Sequence, residues 1–224
     1  MLTRNLGRPS RRAVQRGISL VELMVGIAVG LLVVASAAML TSTQLTDNRR
    51  LLLETQVHQD LRAAADIVTR ELRRASHWQW ADRGIWTPDA VPQPNPYASV
   101  SPTTAGATQV GYRYRRNSGE DGPFGFKLEG AALKTRMGEA GWQELTDPKT
   151  LRVTAFAVTP NHQTLVLACA TPCGGVAEPA CPTLTVREFI VDITGQAVSD
   201  PAVQRSLRTV VRVRNDDAQG QCPA

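Results

Sequence analysis

Aromatic residues are scarce in this sequence, 5% of 224, and its three histidines, His58, His77 and His162, stand far apart. They fall on a predicted helix, a helix end and a turn, without ligand spacing or a paired nucleophile, so histidine-centred catalysis has no constellation to rest on. Walker A, G-x-G-x-x-G and calcium-loop patterns are missing as well, so no cofactor is expected. No run interleaves basic and aromatic residues, and nucleic acid is therefore not an expected partner. The four cysteines, Cys169, Cys173, Cys181 and Cys222, are spaced C-x3-C-x7-C before the last one and lack the paired pattern of a zinc site, so no metal is expected. Nothing here points to an enzyme.

Acidic residues are absent from residues 1–17, MLTRNLGRPSRRAVQRG, which carry Arg4, Arg8, Arg11, Arg12 and Arg16. Removing those five from the chain's 25 basic residues leaves 20 basic against 20 acidic, so the formal charge of +5 belongs to this leader alone. Arginines flanking an apolar span stay on the cytoplasmic side, which sends the remainder of the chain outward. Outside the cytoplasm disulfides persist, so the four cysteines read as two bridges, with all three connectivities open.

The apolar span is ISLVELMVGIAVGLLVVASAAML, residues 18–40, whose only charge is Glu22. At 1.5 Å per residue it extends roughly 34 Å as a helix, enough to cross a hydrocarbon core. It is too long for the apolar region of a secretory signal, no clear A-x-A site follows, and a carboxylate sits near its start. A charge at such a depth is costly and calls for a cationic partner.

The stretch RGISLVELMVGIAVGLLV resembles the prepilin processing motif of type IV pilin-like proteins, in which a glycine precedes an apolar residue and a glutamate stands fifth after the cut. In that family a membrane aspartyl peptidase cleaves on the cytoplasmic face and methylates the new amine. The resemblance implies cleavage after Gly17, N-methylation of Ile18 and an assembly role for Glu22. Electrostatics agrees, because the new amine of Ile18 and the carboxylate of Glu22 each resist burial alone, and pairing between neighbouring subunits removes both penalties.

Beyond the span, no proline occurs between Ile18 and Trp86, and Leu53, Val57, Leu61, Ala64, Val68, Leu72 and Ala75 form one stripe at helical period. Arg62, Arg70, Glu71, Arg73 and Arg74 are read as lying largely off it. The chain thus divides into a basic leader at 1–17, a membrane or filament-core helix at 18–40, an amphipathic extension at 41–75, a Trp- and Pro-rich loop at 76–106 and a β-rich extracytoplasmic head at 107–224. In the loop, Trp78, Trp80 and Trp86 are expected to pin the segment to the head. Strands are expected over 108–115, 124–129, 131–136, 151–158, 163–169, 183–193 and 206–214. In the last, Leu207, Val211 and Val213 alternate with Arg208, Arg212 and Arg214, whose arginines read as a solvated face.

The fold class is α+β, a long N-terminal helix packed on an antiparallel sheet, as in pilins. RELRRAS at 70–76, the run LEGAALKTRMGEAGWQELTDPKTLRVTAFAV and the closing VRVRN are similar to PilW-type minor pilins and the related GspJ-type pseudopilins. That resemblance implies a minor pilin held in the inner membrane by one span, N-terminus cytoplasmic and head periplasmic, then carried to the pilus at the cell surface. Its implied partners are the prepilin peptidase, other minor and major pilins and the inner-membrane assembly platform. A pseudopilin of a type II secretion system is the alternative sharing the same N-terminal logic, and a head that binds DNA or a surface directly is a different class again.

Overall fold

Fifty-five residues without proline form one helix, α1, Leu20–Arg74. The computed structural model describes residues 17–84, 91–116, 119, 121–174 and 181–223; the leader up to Arg16, Trp86 and Pro88 lie outside these. The chain divides into two compact units, residues 1–49 and 50–224.

In the first unit the described residues are exposed on every side. The hydroxyls of Ser36, Thr41, Thr43 and Thr46 each donate to the carbonyl four residues back, at 2.8–3.1 Å. Each such bond satisfies a hydroxyl locally, which an apolar surrounding demands.

In the second unit the helical stripe is buried at Val57, Leu61, Ala64, Val68, Leu72 and Ala75, with Leu53 half-buried and Ala65 added. After Arg74 the backbone at Ser76 turns left-handed, φ 62°, and its N–H donates to the Arg113 carbonyl at 2.9 Å, which ends the helix.

Among the described residues the strands form two antiparallel sheets. The first is a meander of β1 (Val100–Ser101), β2 (Gln109–Tyr112), β3 (Phe124–Glu129), β4 (Ala132–Met137) and β5 (Trp142–Glu144). The second places β7 (Thr183–Ala197) centrally between β6 (Leu151–Val166) and β8 (Gln204–Arg212), with β9 (Asp217–Gln219) also paired to β7. One apolar cluster joins the helical stripe to Val110, Phe124, Phe126 and Leu133 of the first sheet and to Phe156, Phe189, Val191 and Val211 of the second. At Gly195 a Cβ would meet Leu151 at 2.9 Å and Leu61 at 3.2 Å, so glycine is what lets the helix seat this closely on β7.

The two strands expected at 151–158 and 163–169 are a single strand. β6 runs through Pro160 and pairs with β7 from Leu151↔Ala197 to Val166↔Thr183. β6 is an edge strand of its sheet, where a missing N–H is tolerated. His162 therefore lies within β6, its ring 5.3 Å edge-on from Phe189, and not on a turn. The short strands β1, β5 and β9 fell outside the sequence reading because two or three residues carry too little alternation to register. The cysteines are bonded Cys169 to Cys222 and Cys173 to Cys181.

Phe126 is fully buried, whereas Leu52 is 72% exposed. Phe126→Ala should destabilise the head by about 3–5 kcal/mol in urea unfolding of the detergent-solubilised chain. Leu52→Ala should remain within about 0.5 kcal/mol of wild type by the same measurement.

Candidate functional site

Gly17, Ile18 and Ser19 precede the helix, and Leu23 N donates to the Ser19 carbonyl at 3.1 Å, which makes Ser19 the N-cap and Glu22 the third helical residue. Serine at the cap with glutamate three on is the spacing of a capping box, a signal the sequence reading missed. Neither side chain makes a cap hydrogen bond among the described residues, and Glu22 has no ion-pair partner there. A carboxylate in the first turn is nevertheless favoured by the helix dipole. Backbone geometry thus places Glu22 in the first turn, and among the described residues its oxygens have no partner.

Gly26 and Gly30 follow Glu22 in steps of four, within about 80° of arc on the same side of the helix. A Cβ at either would meet nothing within 4 Å. The G-x-x-x-G spacing lets a neighbouring apolar helix approach closely on the side that carries Glu22. Ile18, Leu20, Val21 and Leu23 are all more than half exposed, so this end is an apolar surface bearing one charge.

In the head, structure departs from the sequence reading at Glu71. It is buried, not off the stripe, because it stands three residues after Val68 and four before Ala75, inside the same arc. Tyr114 Oη donates to Glu71 Oε2 at 3.3 Å and Arg74 Nη1 donates to Oε1 at 3.1 Å. Burial, reinforced by the Glu71 charge, raises the Tyr114 pKa, and burial raises that of Tyr112 well above the phenolic range. Arg187 occupies an inward position on β7, and its guanidinium donates to the carbonyls of Ala98 and Asn215 at 2.5 and 2.8 Å. Desolvation lowers its pKa, partly offset by Asp217 and Asp216. The signal that could have found this arginine is its period-two phase with Phe189, Val191 and Ile193, which puts it on the buried face of β7.

The histidines do not converge. His58 is exposed on α1, His162 is on β6, and His77 is half-buried with its pKa lowered by burial and then by Arg214. Among the described residues no group of three His, Cys, Asp or Glu is placed to hold a metal ion. Trp78 is buried in the head as expected of a pinning residue, while Trp80 is 44% exposed under the guanidinium of Arg83.

Comparison with known families is informative at both ends of the chain. A family model described as the prokaryotic N-terminal methylation motif matches residues 12–38. A model described as prepilin peptidase-dependent protein B matches residues 50–213. No curated protein matches the chain, and no solved structure matches it. The methylation motif over an apolar helix, with an α+β head behind it, marks a pilin-like protein processed by prepilin peptidase. Since the second match spans most of its length, the chain belongs to the prepilin peptidase-dependent protein B family.

Proposed function

We propose that this chain is a minor-pilin-like subunit of a type IV pilus, of the PilW type, and not an enzyme. The observation that carries the reading is Glu22, a carboxylate in the first turn of an exposed apolar helix with no ion-pair partner among the described residues. Prepilin peptidase cuts after Gly17 and Ile18 becomes the methylated N-terminus. The amine of a neighbouring Ile18 then neutralises Glu22. Pairing two charges that each resist an apolar setting fixes the axial register between helices, and the glycine side around Gly26 and Gly30 supplies the close approach.

The leader's arginines hold the N-terminus in the cytoplasm and the head crosses to the periplasm, with the helix seated in the inner membrane until the subunit joins the filament. In that compartment the Cys169–Cys222 and Cys173–Cys181 bonds form and persist. The head's partners are other minor and major pilins and the inner-membrane assembly platform.

Mass spectrometry of the mature chain should find N-methylated Ile18 as its first residue; a chain still starting at Met1 in peptidase-competent cells would refute the cleavage. Glu22→Ala should insert and be processed normally, yet its share in sheared filaments should drop about tenfold, matching the ~1–2 kcal/mol of polar contacts between membrane helices. Unchanged incorporation would remove Glu22 from assembly. The Cys169–Cys222 bond closes a separation of 53 residues against 8 for Cys173–Cys181. On loop-closure entropy, serine replacement of the first pair should cost about 4 kcal/mol and of the second about 2.5 kcal/mol in urea unfolding. Equal costs would contradict that ordering.

A further inference from the structure

Five arginines brought together from the two ends of the head line one depression of about 520 Å³: Arg70, Arg73 and Arg74 from the last turns of α1, and Arg212 and Arg214 from the end of β8 and beyond. The two stretches lie some 140 positions apart in sequence and are clipped together where Arg214 N donates to the Arg73 carbonyl at 3.0 Å. Arg74 and Arg70 face the buried Glu71, at 3.1 and 3.8 Å, and Arg212 holds Asp216 at 2.6 Å. Arg73 and Arg214 are exposed and make no ion pair among the described residues. Two carboxylates thus serve five guanidiniums. Complementing the helix dipole accounts for Arg73 and Arg74, the pairs with Glu71 and Asp216 engage Arg70 and Arg212, and Arg214 is left without such a role.

Arg214 also lines a second cleft of about 490 Å³, whose wall includes Trp78, Asn95, Asn215, Asp216 and Gln219. Asp216 Oδ1 is buried there without a hydrogen-bond partner. The two hollows differ in character. The groove offers positive charge, whereas the cleft offers an indole, amides and carboxylates that repel anions but suit a flat, uncharged ring with donors and acceptors on its edge. A ligand that satisfies both alternates anionic groups with planar polar rings.

We propose that the groove and the adjoining cleft bind single-stranded nucleic acid, with phosphates on Arg73, Arg214 and their neighbours and one unstacked base in the cleft beside Trp78. Guanidiniums suit phosphate because their planar forks donate two hydrogen bonds at once. Bases recognised by aromatic contact and edge hydrogen bonds must be out of a duplex, so the site discriminates against double strands. An acidic peptide fits less well, since it has nothing for the cleft and meets Asp216 and Asp217 there. Linear inspection does not reveal this site, because neither arginine stretch is interleaved with aromatics.

The full chain in detergent micelles should bind a fluorescein-labelled oligothymidine of about 20 nucleotides, read by anisotropy near ~50 mM salt, and weaken as salt rises. Arg73→Ala with Arg214→Ala should lower the affinity about tenfold and reduce the salt slope by about 1.4. Arg62→Ala with Arg152→Ala makes the same change in net charge at exposed positions outside the groove and should stay within about twofold of wild type. Matching urea midpoints for the wild type and the two double variants would tie any loss to the groove. Failure of the wild type to bind, equal losses in the two double variants, equal affinity for a blunt duplex, or displacement by polyglutamate of matching charge would each overturn the proposal.

Discussion

Among the described residues no ladder joins the two sheets; backbone bonds from Val158 N to Ala107, just before β2, and from Val153 N to Ala131, in the β3–β4 turn, tie β6 to the first sheet, and apolar burial supplies most of the cohesion. That burial is organised by the stripe of α1 from Val57 to Ala75, which contacts the inner residues of both sheets in one cluster. At about 25 cal/mol per Å² of apolar surface, removing one face of a helix from water outweighs any single hydrogen bond in the head. Gly195 shows how closely the fit is drawn, since one methyl there would force Leu151 to shift and crowd Leu61.

Polar contacts then fix what burial alone leaves free to slide. Arg205 Nη2 pairs with Glu54 Oε2 at 2.5 Å near the start of the stripe, and Arg214 N caps the Arg73 carbonyl at its end. Between them the buried Glu71 accepts from Tyr114 and Arg74. The side-chain amides of Asn95 and Asn215 both donate to the Ser76 carbonyl, tying the long connecting loop and the C-terminal segment to the same turn. A buried carboxylate deprived of either partner would be an uncompensated charge, so Glu71 acts less as a source of stability than as a specifier of where β2 and its continuation meet the helix.

What the sequence displayed was periodic. The stripe spaced by three and four, the alternation through Leu207, Val211 and Val213, and the fixed spacing of Gly17, Ile18 and Glu22 are all patterns within one element, and they placed the helix, the strands and the α+β class. What stayed hidden depends on pairing between elements. The strands expected at 151–158 and 163–169 run on as one because Pro160 is tolerated at the edge position of β6, which only the sheet order reveals. Glu71 looked solvent-facing by chemistry although its spacing put it on the stripe. Arg187 and the arginine groove exist only once β7 and β8 lie beside the loop and the helix end.

Charge ties these observations together. After removal of the leader's five arginines the formal balance is 20 against 20, which would suggest a chain without electrostatic character. Net charge, however, says nothing about local fields, and a groove that gathers five guanidiniums against two carboxylates keeps a positive potential whatever the total. The same reasoning applies at the other end of the molecule. Glu22 is one acid among 20, yet it is the only charge among residues 18–40, so its influence is set by the low polarity around it. In both places folding supplies the setting, and charge in excess of its countercharge among the described residues is what directs it toward a second molecule.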